Sequence, residues 1–314
     1  MKIIRGYHNT PETAQGCVVT LGNYDGVHKG HQAVLARLAE KAKDLNVPLV
    51  VMCFEPTPRE FFDQDNAPSR LSNFREKAQL LAQLGVDYML VQRFSKAFSA
   101  LSADEFIENV LVQGLNVKAV VIGDDFRFGA GRCGDAAMLR TAGAAQGFEV
   151  LDTQTVVSGQ ERISSTAVRD CLACADLRAA EALLGRPYSI QGRVVHGDKL
   201  GRELGFPTAN IGFARSKLPL QGVYAVKVYG VKNSGEPFLP GVANLGTRPA
   251  VNGVEQRLEV HLIGWNGDVY GQRLTVEFSE FIRPEQRFAC LEELTAAIAD
   301  DVEQGARLFG LLPD

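Results

Sequence analysis

Apolar positions divide the chain into two unlike halves. In the first, short apolar runs without polar alternation read as strands: Cys17–Leu21, Pro48–Phe54, Asp87–Val91, Ala119–Ile122 and Phe148–Leu151. Between them apolar residues recur at helical spacing, over about Gln32–Leu45, Phe74–Leu84, Ala103–Val112 and Ala136–Ala145. A strand that lacks alternation is buried on both faces. Alternating β and α elements therefore predict a parallel sheet with helices on both faces, which binds ligands beyond the carboxyl ends of its strands.

A helical stretch, Ser165–Leu184, runs into Leu184-Gly185-Arg186-Pro187. Glycine then proline after a helix is a stop signal. The domain boundary is expected there, giving residues 1–185 and 186–314. Beyond it the pattern changes. Tyr188–His196, Val223–Tyr229, Leu258–Ile263 and Leu274–Phe281 read as strands, several with apolar/polar alternation, separated by Gly- and Pro-rich turns. That predicts an antiparallel barrel or sandwich. Leu291, Leu294, Ile298 and Val302 form a last helical stripe that covers the sheet.

Composition narrows the class. At 314 residues the chain exceeds the size at which one core stops growing, in keeping with two domains. A net charge of −4 gives no support for general nucleic-acid or membrane binding, so an anionic ligand must be held by local groups. No apolar run approaches a bilayer span and MKIIRGYHNT lacks a signal-peptide core. Six cysteines in so long a chain do not make a disulfide scaffold, and a cytoplasmic protein with reduced thiols is expected. Cys171-Leu-Ala-Cys174 has CxxC spacing, but no second pair completes a zinc site, and it reads as two small helix residues.

Candidate chemistry begins at Leu21-Gly-Asn-Tyr-Asp-Gly-Val-His-Lys-Gly-His31. Two of the chain's five histidines, His28 and His31, stand here three residues apart. A metal site would need further ligands, and the zincin pattern HExxH is absent. An ordinary Gly-rich turn is a second reading. The third is phosphate binding. A strand leads through Gly22, Gly26 and Gly30 into a helix whose free N–H groups attract an anion, and His28 and His31 fall on one side of its start. This is no P-loop, since GxxxxGK[ST] is missing. The sequence resembles the HxGH signature of the nucleotidyltransferase superfamily, with Gly22, Asp25 and Gly26 adding to the likeness.

Arg162-Ile-Ser-Ser-Thr-Ala-Val-Arg169 is a second phosphate candidate. Its hydroxyl residues are N-cap types and its arginines suit phosphate, although a capped surface helix has the same composition. It too resembles a phosphate motif of those enzymes. Gly129-Ala-Gly-Arg-Cys-Gly134 matches GxGxxG but follows its strand only after Asp124–Phe128, so a dinucleotide site is not expected. The loop itself offers Asp125 to polar groups of a ring, and Phe126 or Phe128 for stacking or core packing.

In the second half, Val195–Asn210 reads V-H-G-D-K-L-G-R-E-L-G-F-P-T-A-N. Thr208 and Asn210, two apart on an extended segment, share a face and offer hard oxygen ligands suited to Mg²⁺ held with substrate phosphates. This run, with Gly222–Ala225, Gly241–Arg248 and Leu258–Leu262, is similar to bacterial riboflavin kinase. Behind an HxGH domain it resembles the bifunctional riboflavin kinase/FMN adenylyltransferase family.

That resemblance implies a Rossmann-like nucleotidyltransferase domain followed by a β-barrel kinase domain with a terminal helix. It implies ATP, riboflavin and FMN as small-molecule substrates and Mg²⁺ as cofactor. Gly22, Asp25, Gly26, His28, His31, Arg162, Ser165, Thr166 and Arg169 would hold one ATP. Asp125, Phe128 and the Cys53–Pro58 turn, with Phe54, Pro56 and Pro58, would lie near the flavin. In the kinase, Gly197, Lys199 and Gly201 would approach ATP, Thr208 and Asn210 would bind Mg²⁺, and Glu259 would be the general base. Tyr24 and Trp265 depart from the family's usual aromatics without removing a donor or ligand.

Overall fold

The computed structural model describes residues 1–10, 16–123, 126–152, 157–158, 161–197, 200–213, 217–250 and 253–313. Its contacts form two units: Met1–Pro68 with Phe74–Ile163, and Ser69–Asn73 with Ser164–Asp314.

The first unit runs β1 (Lys2–Arg5), β2 (Cys17–Leu21), α1 (Lys29–Asp44), β3 (Leu49–Glu55), α2 (Pro58–Phe62), α3 (Phe74–Gln83), β4 (Tyr88–Arg93), α4 (Lys96–Ser99), α5 (Ala103–Glu105), β5 (Val117–Ile122), α6 (Ala136–Gln146) and β6 (Glu149–Asp152). A short ladder of β7 (Val157–Ser158) and β8 (Glu161–Arg162) follows. The sheet is parallel, in the order β1-β4-β3-β2-β5-β6. Its central strands β2, β3 and β5 are largely apolar because both faces are buried. Cys17, Val19 and Leu21 of β2 face one core layer with Phe106, Val110 and Leu139, while Val18 faces the other with Leu35, Leu38 and Leu81. The chain moves outward from β2 through β3, then returns to β5 on the other side of β2. This reversal opens a crevice at the carboxyl ends of β2 and β5, the expected place for a ligand.

Two local differences from the periodicity appear here. The edge strand β1 was not expected from four residues. The helix expected over Ala103–Val112 begins as α5 and continues as a π-helical stretch, Phe106–Gly114. The GxGxxG segment does not open a dinucleotide helix: Phe128 and Gly134 bridge each other around a 3₁₀ turn.

The second unit begins with α7 (Ser165–Ala173) and α8 (Leu177–Leu184). The single helix expected over Ser165–Leu184 is therefore two. Ala175 adopts a left-handed φ of 58°, and Asp176 caps α8 by accepting from the Ala179 amide at 2.9 Å. Then come β9 (Ser189–Val195), α9 (Leu200–Glu203), β10 (Thr208–Gly212), β11 (Gly222–Tyr229), β12 (Leu239–Ala250), β13 (Gly253–Leu262), β14 (Arg273–Arg283) and α10 (Leu291–Leu308). The strands close into an antiparallel barrel, β10-β13-β12-β11-β14-β9, and α10 packs on β11, β12 and β14. Of the sequence alternatives, the barrel is the one formed. No helix among the described residues is long and apolar enough to cross a membrane.

Candidate active sites

The first site grows from the end of β2. The Gly22 amide donates to the Met52 carbonyl at 3.1 Å, which ties the turn to β3. Tyr24 and Val27 take positive φ values of 48° and 42° and Gly26 one of 77°. For buried, β-branched Val27 this is a strained conformation of the kind that clusters at functional sites. The turn delivers His28 as the N-cap of α1. Its Nδ1 accepts from the His31 amide at 3.4 Å, so the ring's N–H is at Nε2. The two imidazoles stack at 3.7 Å, and His31 leans on Tyr24 at 4.6 Å. Tyr24 is held in turn by a 2.7 Å hydroxyl pair with Thr20. A Cβ on Gly30 would come within 3.1 Å of the His28 ring and 3.2 Å of the Ile163 carbonyl, so glycine permits this stack.

Part of His31 reaches solvent, but its Nδ1 is enclosed without a hydrogen-bond partner among the described residues. Burial first, then the charges of His28 and Lys77, hold its pKa well below the ordinary histidine range. His31 is therefore a neutral imidazole with a spare nitrogen, at a helix N-terminus that favours an anion. No cluster of three His, Cys, Asp or Glu side chains that could hold a metal ion occurs among the described residues.

Other predicted residues of this half are placed as follows. Phe54 lies in the core, touching Phe94 and Phe98. Pro56 precedes the N-cap Thr57, and Pro58 opens α2, where a capping box of Thr57 and Glu60 fixes the turn. Phe128 is buried between Phe106 and Phe126, so it packs in the core. Asp125 and the Arg162 side chain lie outside the described residues, as does Lys199 of the second half. Ser165, Thr166 and Arg169 open α7 in the second unit. Ser164 caps that helix through the Ala167 amide, and Arg169 Nε donates to the Ser69 carbonyl at 2.6 Å.

The second site lies on the outer wall of the barrel. Ala209 and Ile211 of β10, and Leu258 and Val260 of β13, point into the barrel core. Thr208 and Asn210 therefore point outward, beside their register partners His261 and Glu259; Asn244 of β12 pairs with Glu259 from the other side. Thr208, Asn210, Asn244, Glu259 and His261 line a cavity of about 550 Å³ that reaches α9 and α10. Arg283, also in its lining, makes two 2.7 Å bonds to buried Asp301 of α10 and so ties the helix to β14. A second cavity, of about 500 Å³, shares Thr208 and is lined by Trp265 and Tyr270. The Trp265 indole lies against Gly267, where a Cβ would approach its ring to 2.4 Å; the small residue makes room for the larger aromatic.

Two predicted glycines have a steric reason. A Cβ on Gly197 would lie 2.2 Å from the Asn210 amide nitrogen, and one on Gly201 would lie 3.2 Å from Thr208 Oγ1. They form a close cradle around the proposed metal ligands. Sequence reading missed Asn244, His261 and Lys77. The first two are revealed only by strand register, and Lys77 reads as an ordinary polar position on an amphipathic helix.

Comparison with known proteins matches each half separately. Residues 10–167 match the FAD synthetase family and residues 184–309 the riboflavin kinase family. A bifunctional riboflavin kinase/FMN adenylyltransferase from Escherichia coli (strain K12) is 54% identical over 99% of both chains. One from Haemophilus influenzae is 50% identical, covering 98% of this chain and 99% of its own. A solved structure described as a macrolide-efflux protein from Streptococcus pneumoniae is 30% identical, with a TM-score of 0.79, covering 96% of this chain and 97% of its own. Two matched halves in order, within relatives similar from end to end, mean that the chain belongs to the bifunctional riboflavin kinase/FMN adenylyltransferase family.

Proposed function

We propose that the protein makes FAD from riboflavin in two ATP-dependent steps. The observation that carries this reading is the pair of cavities meeting at Thr208, one holding a carboxylate and the other aromatic side chains. Riboflavin fits the first, with its ribityl 5′-hydroxyl at Glu259. ATP fits the second, with its phosphates reaching Thr208. Glu259 takes the hydroxyl proton as that oxygen bonds to the γ-phosphorus and ADP leaves, giving FMN. Thr208 and Asn210 are the residues that would hold Mg²⁺. The cradle of Gly197 and Gly201 supports that assignment, as does the fit of few, hard oxygen donors to an ion shared with phosphates. When bound, Mg²⁺ neutralises charge developing on the phosphates.

Adenylyl transfer follows at the turn after β2. A phosphate oxygen of FMN bonds to the α-phosphorus of a second ATP, and the bond to the β-phosphate breaks, releasing pyrophosphate. His28 Nε2–H and the α1 N-terminus stabilise the charge that grows on the phosphates. Ser165, Thr166, Arg162 and Arg169 belong to this proposal as ATP-binding residues, and Phe54, Pro56, Pro58, Asp125 and Phe128 as flavin-side residues. We assign residues 1–185 to adenylyl transfer and 186–314 to phosphorylation, a division supported by the two family matches. The proposal includes a cytoplasmic location, in keeping with six cysteines in a chain of 314 residues, too few for a disulfide scaffold.

Purified protein given riboflavin, ATP and Mg²⁺ should yield both FMN and FAD by chromatography. Absence of both under varied metal and redox conditions would end this reading. Gly197→Ala tests the cradle. The added methyl displaces Asn210, and FMN formation should fall on the order of 10²-fold, the cost of about an ångström of misplacement. FAD formation from supplied FMN should be unchanged.

A further inference from the structure

Lys77 is a buried cation that the mechanism above leaves unused. It lies on α3 with a side chain only 2% exposed, at a position where lysine is almost never found unless paired. Its partner is Glu55, and the ammonium stands 4.0 Å from Oε1, beyond hydrogen-bond distance. Burying a charge for so loose a pair is costly, and such costs are kept where function needs them.

Its position points to that function. Glu55 is the last residue of β3, so the pair sits at the carboxyl edge of the sheet. β3 lies beside β2, whose carboxyl end launches the histidine turn, and the Gly22 amide is bonded to β3 at Met52. On the same edge, His31 Nδ1 is enclosed and unpartnered among the described residues. A buried ammonium near the neutral His31 imidazole is an anion site with its charge already in place.

We propose that Lys77 is a phosphate-binding residue of the adenylyl-transfer site, its ammonium binding a non-bridging oxygen of the ATP triphosphate beside His31. This rests on the reading that FMN is adenylylated at the histidine turn. Lys77 takes no part in proton transfer. It offsets charge on the phosphates while the FMN oxygen displaces pyrophosphate, and the Glu55 pair holds the ammonium in place before substrate arrives. Its charge also helps keep His31 neutral, after burial and His28.

The test uses the full chain with Lys77→Met and Lys77→Arg. FAD formation from supplied FMN should fall about 10²-fold or more in Lys77→Met, the size of effect seen when one charge-stabilising group is removed. Lys77→Arg should recover part of it, and FMN formation from riboflavin should stay at the wild-type rate in both. Inorganic tripolyphosphate, titrated while the His31 imidazole is followed by NMR, should bind about tenfold or more weakly to Lys77→Met. Wild-type tripolyphosphate affinity in a folded Lys77→Met overturns the proposal, even where FAD formation falls, because the lysine would then be only structural. If the wild-type protein makes no FAD, the adenylylation reading fails, and the tripolyphosphate titration still decides Lys77. Should Lys77→Met not fold, Lys77→Gln replaces it with the same readouts.

Discussion

His31→Ala should abolish FAD formation while leaving riboflavin phosphorylation at the wild-type rate. The expected loss is about 10²–10³-fold or more, the range for removing one preorganised group that meets developing charge. The structure separates this effect from unfolding. His28 caps α1 through the His31 backbone amide, which alanine retains. The Tyr24–Thr20 hydroxyl pair and the Gly22–Met52 bond hold the turn without the imidazole. What disappears is the ring stacked at 3.7 Å on His28, and with it the enclosed Nδ1. Chromatography of FMN and FAD, started once from riboflavin and once from FMN, reads both steps in one preparation. A parallel fall of both steps in a folded variant would refute the division of labour.

Glu259→Gln should give the mirror image. Glutamine keeps the shape of glutamate and its place in the β13 register between Asn210 and Asn244, but cannot take a proton. FMN formation should fall about 10²–10⁴-fold, the contribution of a positioned general base. The fall should appear in kcat, with the KM for riboflavin little changed, because the cavity keeps its lining. FAD formation from supplied FMN should be untouched. A Glu259→Gln protein that still phosphorylates riboflavin at the wild-type rate would show that the carboxylate has no part in proton transfer, and the role of the cavity would have to be reassigned.

The residues of these two variants differ in how far they could be read beforehand. His28 and His31 lie within a local strand–turn–helix unit, and the spacing of glycine and histidine already placed them at a helix start. Glu259 had only its family likeness, because an outward glutamate on a strand is ordinarily solvated. It becomes a pocket residue because β10 and β12 flank it and α9 and α10 border the cavity, contacts made across the barrel. Strand β12 was hidden for a similar reason. Pro240, Gly241, Gly246 and Pro249 lower its local propensity, yet pairing with β11 and β13 holds it extended. Gly241 fits because a Cβ there would come within 2.7 Å of the His261 carbonyl.

By itself the sequence determined what depends on neighbours along the chain. Two-sided apolar runs made a parallel sheet, apolar/polar alternation made an antiparallel barrel or sandwich, and Gly-rich turns at strand ends marked the candidate phosphate motifs. It could not determine where the continuous helical pattern after Ser165 breaks, since Ala175 carries no turn signature and adopts its left-handed conformation between two packed helices. Only the tertiary structure set Glu259 beside Asn210 and gave one cavity to both, and only it carried Lys77 to the carboxyl edge of the sheet. Burial and strand register are properties of the folded contacts. A charge becomes costly, or a carboxylate useful, only when residues remote in sequence exclude water around it.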